Sequence, residues 1–418
     1  MPDRRTSDTG RLIRAGLQDL DRARRLCELP RVEPLLGPDA EGDVLVDISS
    51  AADPDQALLL LVRILESCDE REWHRLVSAL QADVDLRRRL IDVIGMSEAL
   101  GDFIVRHRSA LDVLADAEAL AQAPSARGMR EQLLVAVGAN ADHPEPVAGG
   151  DDVATLNALR VAYRRALLGI AARDLSGMAS MDLVAAWLSD LADAVLEGGL
   201  AIARASVGED VALSRFAVIG MGKCGARELN YVSDVDVIYV AEPAEGADES
   251  KALAVATSLA TGLMRACNAV TPEGTIWEVD AALRPEGKQG ALVRTIASHV
   301  GYYERWAKTW EFQALLKAKP AAGDLALGVE YVDSVSPFVW SAADREGFVE
   351  DVQAMRRRVE ENVPTRLAER ELKLGPGGLR DVEFSVQLLQ LVHGRSDVML
   401  RSPTTMVALE ALATWGYV

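Results

Sequence analysis

The feature that most constrains the fold is a spacing. Phe216-Ala217-Val218-Ile219 is a short apolar run closed by Gly220, and Val235 to Val240 is rich in β-branched residues, so both read as strands. Between them lie the turn Gly220-Met221-Gly222-Lys223-Cys224-Gly225 and only the segment Ala226 to Ser233. Gly220, Gly222 and Gly225 spell the dinucleotide-binding G-x-G-x-x-G, with Glu242 where a ribose-binding acid belongs. The segment after Gly225 is too short for the crossover helix of a βαβ unit, which takes about a dozen residues or more. A central parallel strand is also expected to lack carboxylates such as Asp234 and Asp236. A Walker A motif is absent, because Gly222-Lys223 is followed by Cys224 and no glycine stands at the required spacing.

Alternate side chains of a strand share a face, so Asp234 and Asp236 project together while Val235 and Val237 point away. Two neighbouring carboxylates repel, and each raises the other's pKa unless a cation lies between them. Oxygen ligands of this kind suit Mg²⁺ or Mn²⁺. An isolated Asp-x-Asp is usually a solvated edge or a turn; here the pair follows a strand and a glycine turn and runs into the apolar Val237-Ile238-Tyr239-Val240. Thr275-Ile276-Trp277-Glu278-Val279-Asp280 predicts a third strand, whose Asp280 completes a three-carboxylate metal set. Glu278 shares that face and competes, but Leu283-Arg284-Pro285-Glu286-Gly287 follows Asp280 directly and favours it. Arg284 is expected to meet phosphate oxygens, although a surface ion pair is the bland alternative. Gly222 and Lys223 are expected to cradle phosphate, the glycine by close backbone approach and the lysine by charge, with Ser233 donating a further hydrogen bond.

Around this centre the chain reads as mainly helical. From Thr6 to about Gly138 helical segments such as Ala57–Leu65 and Glu72–Val77 predict a helical N-terminal domain, residues 1–138. Asn140, Pro144, Pro146, Gly149 and Gly150 mark a linker over 139–152. Helical spacing returns at Leu156–Ile170 and Met181–Ala203, bracing helices within 153–207. Residues 208–300 alternate strand and helix, with a helix over Glu249–Asn268, as expected of a small α/β or α+β domain. Residues 301–418 read as a helical bundle, interrupted at Pro364 and at Leu374-Gly375-Pro376-Gly377-Gly378. The end at Trp415-Gly416-Tyr417-Val418, without a polar tail, suggests a cut through a longer protein.

A net charge of −19 argues against a chain that grips a nucleic-acid backbone. Four scattered cysteines, Cys27, Cys68, Cys224 and Cys267, form no CxxC and suggest neither zinc nor disulfides, which fits a reducing cytoplasm. The start at Met1-Pro2-Asp3-Arg4-Arg5 leads into no apolar signal core, and no run approaches the roughly 18 residues of a membrane span.

Gly220 through Asp236 resembles the signature of the bacterial glutamine synthetase adenylyltransferase/adenylyl-removing enzymes. Val279-Asp280-Ala281-Ala282-Leu283-Arg284-Pro285-Glu286-Gly287, Trp310-Glu311 with Lys317-Ala318-Lys319, and Lys373 through Phe384 look like that family's later blocks, in order. The likeness runs from about residue 100 to the end, and four ordered blocks make it specific. The family's two homologous halves each carry a nucleotidyltransferase domain; one attaches AMP to a tyrosine of glutamine synthetase and the other removes it. The start at Met1, Glu228-Leu229-Asn230-Tyr231, and the form of Lys373 to Arg380 place this chain with the N-terminal, removing half.

The resemblance implies a polymerase-beta-like nucleotidyltransferase domain at 208–300, flanked by helical domains, in which Asp234, Asp236 and Asp280 are catalytic and metal-binding. Phosphate would attack the AMP-tyrosine bond, giving ADP. AMP transfer from ATP, and a non-catalytic module binding glutamine synthetase or the PII signalling protein, are the alternatives. None of the five histidines sits near these motifs, as suits chemistry by positioning and metal. Cys224 and Ala226 stand where Leu and Gly are usual in the family, and Ala281-Ala282 where bulkier or basic residues often occur, which puts the hold of the glycine turn on phosphate in question. The Arg380, Asp381 and Glu383 block suits either an active-site or a packing role.

Overall fold

The short segment after Gly225 turns the chain straight back on itself. In this computed structural model, which describes residues 8–37, 44–361, 363, 366 and 370–418, strand β1 (Ser214–Gly220) pairs antiparallel with β2 (Val235–Pro243), from Ser214 opposite Pro243 to Gly220 opposite Val237. The readings at Met1–Arg5 and at the Pro364 break lie outside the described residues.

By its contacts the chain divides into two compact units, Met1–Pro124 with Arg164–Val184, and Ser125–Tyr163 with Ala185–Val418. The described part of the first is helical. Asp53, Asp69, Asp83 and Ser97 each accept a backbone N–H at the start of the helices Pro54–Ser67, Glu70–Ala82, Val84–Met96 and Glu98–Arg106. These helices bury Leu58, Leu61, Ile64, Leu90, Ile94 and Phe103. Inside the unit, Arg87 Nε donates to the equally buried Asp47 at 2.5 Å. The irregular stretch 139–152 lies wholly within the second unit, where Ala148 N–H donates to Ala201 O. It is a loop of that unit and does not join the two.

The second unit is built on a five-stranded mixed sheet. β5 (Lys319–Gly323) pairs antiparallel with β1, while β3 (Val279–Asp280) and β4 (Val293–Arg294) both run parallel to β2 on its other edge. One face carries Ala217, Ile219, Ile238 and Val240 into a core with Phe312, Leu327, Tyr331 and Val335. The helices Met181–Val207 and Glu249–Asn268 approach closely where Gly262 meets Ala203, at a spacing that would put any added Cβ 2.8 Å from the alanine methyl. The helix read over Glu249–Asn268 is present with those bounds.

Three sequence expectations are corrected. Only Val279–Asp280 of the run read as a third strand from Thr275 pairs as one; the turn at Thr271–Gly274 delays its approach, and Ile276 N–H is spent on Cys267 O. β4 went unread because two residues carry no periodicity. β5 lies in a stretch read as helical: Lys-Pro-Ala-Ala-Gly lacks the β-branched signal, and Pro320 is tolerated because β5 is an edge strand. The sheet therefore extends past residue 300. Helices Leu325–Trp340, Phe348–Glu361, Leu379–His393 and Thr405–Thr414 follow, with the expected break at 374–378.

Candidate active site

Register makes the acidic group. Asp234 and Asp236 alternate along the chain entering β2, and β3 sets Asp280 directly beside Asp236. Carboxylate oxygens of Asp234, Asp236 and Asp280 lie within 4.8 Å of one another, and Glu278 is not among them. Asp280 is held by Ala282 N–H at 2.7 Å. Burial pushes the Asp236 carboxyl up to about 6, and the charges of Asp234 and Asp280 push it the same way, while Lys373 and Arg380 pull it back. Three crowded oxygen donors, one poised to shed its proton on gaining a cation, fit Mg²⁺ or Mn²⁺.

The glycine turn is shaped to this group. Gly222 has φ of +53°, and a Cβ there would sit 2.4 Å from Asp236 Oδ2. At Gly225 a Cβ would stand 1.8 Å from the Lys317 carbonyl oxygen. Two of the three glycines are thus demanded by close packing, which explains the literal G-x-G-x-x-G without a dinucleotide. Met221 N–H donates to Asp236 O at 2.8 Å and clamps the turn to β2. Ala226, where glycine is usual in the family, is helical at φ −76°, so its methyl costs nothing. The left-handed position falls instead on Arg227, which pairs with Asp190 at 2.8 Å. Cys224 is buried against Asp193, 3.7 Å away.

Among the remaining expected residues, Gly222, Lys223 and Ser233 line the same cleft as Asp234 and Asp236, a space of about 280 Å³. Lys223 Nζ donates to Asn230 Oδ1, and its ammonium is held below its usual range by burial and by the nearby Lys373, Arg380 and Lys317. Ser233 Oγ donates to Asp234 O at 2.9 Å. Arg284 does not line the cleft: its guanidinium donates to the carbonyls of Ala281, Lys288 and Gly290, closing the loop after β3.

The opposite wall is only partly read from the sequence, in which the Arg380, Asp381 and Glu383 block suits either an active-site or a packing role. Trp310, Gln313, Lys317, Lys373, Arg380 and Glu383 face the carboxylates across the cleft. Buried Lys317 is neutralised by Glu228 at 3.2 Å and by Glu383. Burial pushes Glu383 up, yet Lys317, Arg380 and Lys223 outweigh it and hold the carboxyl below its usual range. Gln313 Nε2 donates to Gln387 Oε1 at 2.7 Å, leaving Gln313 Oε1 buried and without a partner among the described residues. Asp381 belongs to the scaffold, since both its oxygens take Arg356 and one also takes Gly377 N–H. Glu311 likewise caps its own helix, accepting from Lys308 N–H and the Tyr302 hydroxyl. The available signal was the helical spacing of Arg380, Glu383, Phe384 and Gln387, which puts one face of the helix Leu379–His393 on the cleft.

Residues 87–333 match the family model described as glutamate-ammonia ligase adenylyltransferase, and residues 353–418 match one described as GlnD PII-uridylyltransferase. Among curated proteins, the chain is similar to bifunctional glutamine synthetase adenylyltransferase/adenylyl-removing enzymes. The protein of that name from Streptomyces avermitilis is 53% identical over 418 residues, covering 100% of this chain and 40% of the relative. Those from Mycolicibacterium smegmatis and Bifidobacterium longum are 50% and 46% identical over 90% and 97% of the chain, and 37% and 38% of their own lengths. The chain thus spans about 40% of the length of the relatives it matches. A sheet-borne carboxylate trio over a glycine turn, a family match across 87–333 and such identity along the whole chain lead to one assignment: this chain belongs to the glutamate-ammonia ligase adenylyltransferase family.

Proposed function

We propose that this chain is a nucleotidyltransferase that removes AMP from a modified tyrosine of glutamine synthetase by phosphorolysis. The observation that carries the reading is the convergence of Asp234, Asp236 and Asp280, the first two of which line a cleft shared with Lys317, Lys373 and Arg380. We take the sheet to be of the polymerase-beta-like type. Glu228-Leu229-Asn230-Tyr231 and the Lys373–Arg380 segment favour the removing direction over AMP transfer from ATP.

In the proposed reaction an oxygen of inorganic phosphate forms a bond to the phosphorus of the AMP group as the bond from phosphorus to the tyrosine oxygen breaks. The products are ADP and a tyrosine that regains its proton from solvent. A divalent cation, Mg²⁺ or Mn²⁺, held by Asp234, Asp236 and Asp280, would supply charge stabilisation at the phosphoryl oxygens. Gly222 and Lys223 both line the cleft, where the glycine backbone would meet phosphate oxygens and the lysine would add charge beside them. No histidine lines the cleft among the described residues, and burial lowers His299 to about 4, leaving it neutral and unsuited to act as a base near pH 7. Positioning and electrostatics therefore carry the chemistry.

The setting we infer is cytoplasmic, with glutamine synthetase as protein substrate and the PII protein as regulator. Among the described residues no helix is long and apolar enough to cross a membrane. Incubating the chain with AMP-modified glutamine synthetase, Mg²⁺ and phosphate is expected to yield ADP. Pyrophosphate from ATP and unmodified glutamine synthetase, with no ADP in the first assay, would reverse the direction. Neither product would leave a binding module.

A further inference from the structure

Four cations, Lys223, Lys317, Lys373 and Arg380, line the cleft, and they are not equivalent. Lys317 is spent on Glu228 and Glu383, and Lys223 is anchored to Asn230. Lys373 makes no ion pair or side-chain hydrogen bond among the described residues. Arg380 reaches Glu383 only at 3.8 Å, and its Nε is buried without a hydrogen-bond partner. A buried N–H of a charged group left unpaired carries an uncompensated desolvation cost, which an incoming acceptor would recover.

The turn that carries both groups is built. Arg380 N–H donates to Lys373 O at 2.9 Å and Leu379 N–H to Leu372 O at 2.8 Å, so the two cations leave opposite ends of one closed loop. Asp381 secures that loop by accepting from Gly377 N–H and from Arg356 on the helix Phe348–Glu361. Both cations line the same cleft as Asp234 and Asp236, which places them beside the reacting centre.

We propose that Lys373 and Arg380 form the subsite for the attacking phosphate, the group that becomes the β-phosphate of ADP, separate from the groups that hold AMP. This inference rests on the reading as an AMP-removing site. A phosphate dianion must approach both the AMP phosphate and three carboxylates. Each like-charge pair opposes that approach, more strongly in a cleft than in open water. With Lys317 held by its two carboxylates and Lys223 assigned to the AMP phosphate, Lys373 and Arg380 are the pair left to meet the incoming dianion.

The test is calorimetric titration of the full chain, with Mg²⁺ present, against inorganic phosphate, ADP and AMP. It is run for the wild type, Lys373→Ala, Arg380→Gln and Arg380→Lys. Expected is a loss of phosphate and ADP affinity of ~10- to 100-fold in Lys373→Ala and Arg380→Gln, partial rescue in Arg380→Lys, and AMP affinity within about twofold throughout. Lys373 lies on an exposed turn, so its variant keeps the test open if an Arg380 variant misfolds. Equal phosphate affinity in wild type and variants, no phosphate binding by the wild type, or an equal loss for AMP would each overturn the subsite. Selective loss of phosphate and ADP in a chain that makes no ADP from modified glutamine synthetase would uphold the subsite and sink the activity.

Discussion

The two walls of the cleft hold opposite charge and are made by opposite means. The acidic wall is a product of strand register: Asp236 on β2 stands beside Asp280 on β3, and Asp234, just before β2, falls on the same side by alternation. The basic wall comes from a closed turn and one helix face, brought up by the Arg356–Asp381 pair. Register tolerates no adjustment, so the carboxylates stay crowded even though burial and mutual repulsion raise the Asp236 pKa. A turn is adjustable, and on this wall one cation is neutralised while two remain to meet a ligand. On the proposed reading the acidic wall takes one kind of occupant, a cation, whereas the basic wall selects among anions.

The largest expected effect breaks the acidic wall. Asp236→Asn should lower turnover by about 10³-fold or more, because a positioned charge is lost at the reacting centre. The same change removes like-charge crowding, so the metal-free variant should melt at or above the wild-type temperature. A variant with near-normal turnover would show that register places these groups for some other purpose.

A smaller effect tests the coupling of the turn to that wall. Gly222→Ala puts a methyl 2.4 Å from Asp236 Oδ2 at a φ of +53°. It should cost about 1–2 kcal/mol of stability from backbone strain and, by displacing Asp236, roughly 10²-fold in turnover. Unfolding curves and steady-state rates separate the two contributions. Normal turnover in this variant would mean that the turn does not set the position of Asp236.

The smallest concerns Arg284, which from its neighbours in sequence belongs to the phosphate machinery and in the structure closes a loop. Arg284→Gln should reduce stability by about 1–2 kcal/mol through lost carbonyl contacts while leaving the KM for nucleotide and phosphate within about twofold. A tenfold rise in either KM at unchanged stability would return Arg284 to the substrate and redraw the basic wall.

The two walls also differ in how far sequence reveals them. Asp234 and Asp236 were legible because a period of two is a local property, and the antiparallel return after Gly225 follows from a short segment that admits no crossover helix. Asp280 was reachable through the expectation of a strand, although only its last two residues pair. β5 was not legible, since Pro320 and the two alanines satisfy it only as an edge partner of β1. The roles of Lys373 and Arg380 stayed open for a different reason. Which cation is free depends on where Glu228, Glu383 and Asp381 come to rest, and those partners are distant in sequence. Arg284 shows the same rule in reverse, because its carbonyl partners exist only once the loop closes.

The most direct test of the account is a Mn²⁺ titration of the wild type and of Asp236→Asn across pH 4.5 to 8. With its folded pKa raised to about 6, Asp236 holds its proton below that pH and competes with the cation. In the metal-free protein the same shift adds stability at low pH that is lost as pH rises through about 6, and a bound cation should restore it. The account predicts that wild-type affinity climbs about tenfold per unit up to pH 6 and then levels, whereas Asp236→Asn binds weakly with no step there. Equal affinity in both proteins, or no binding by the wild type at any pH, would contradict it.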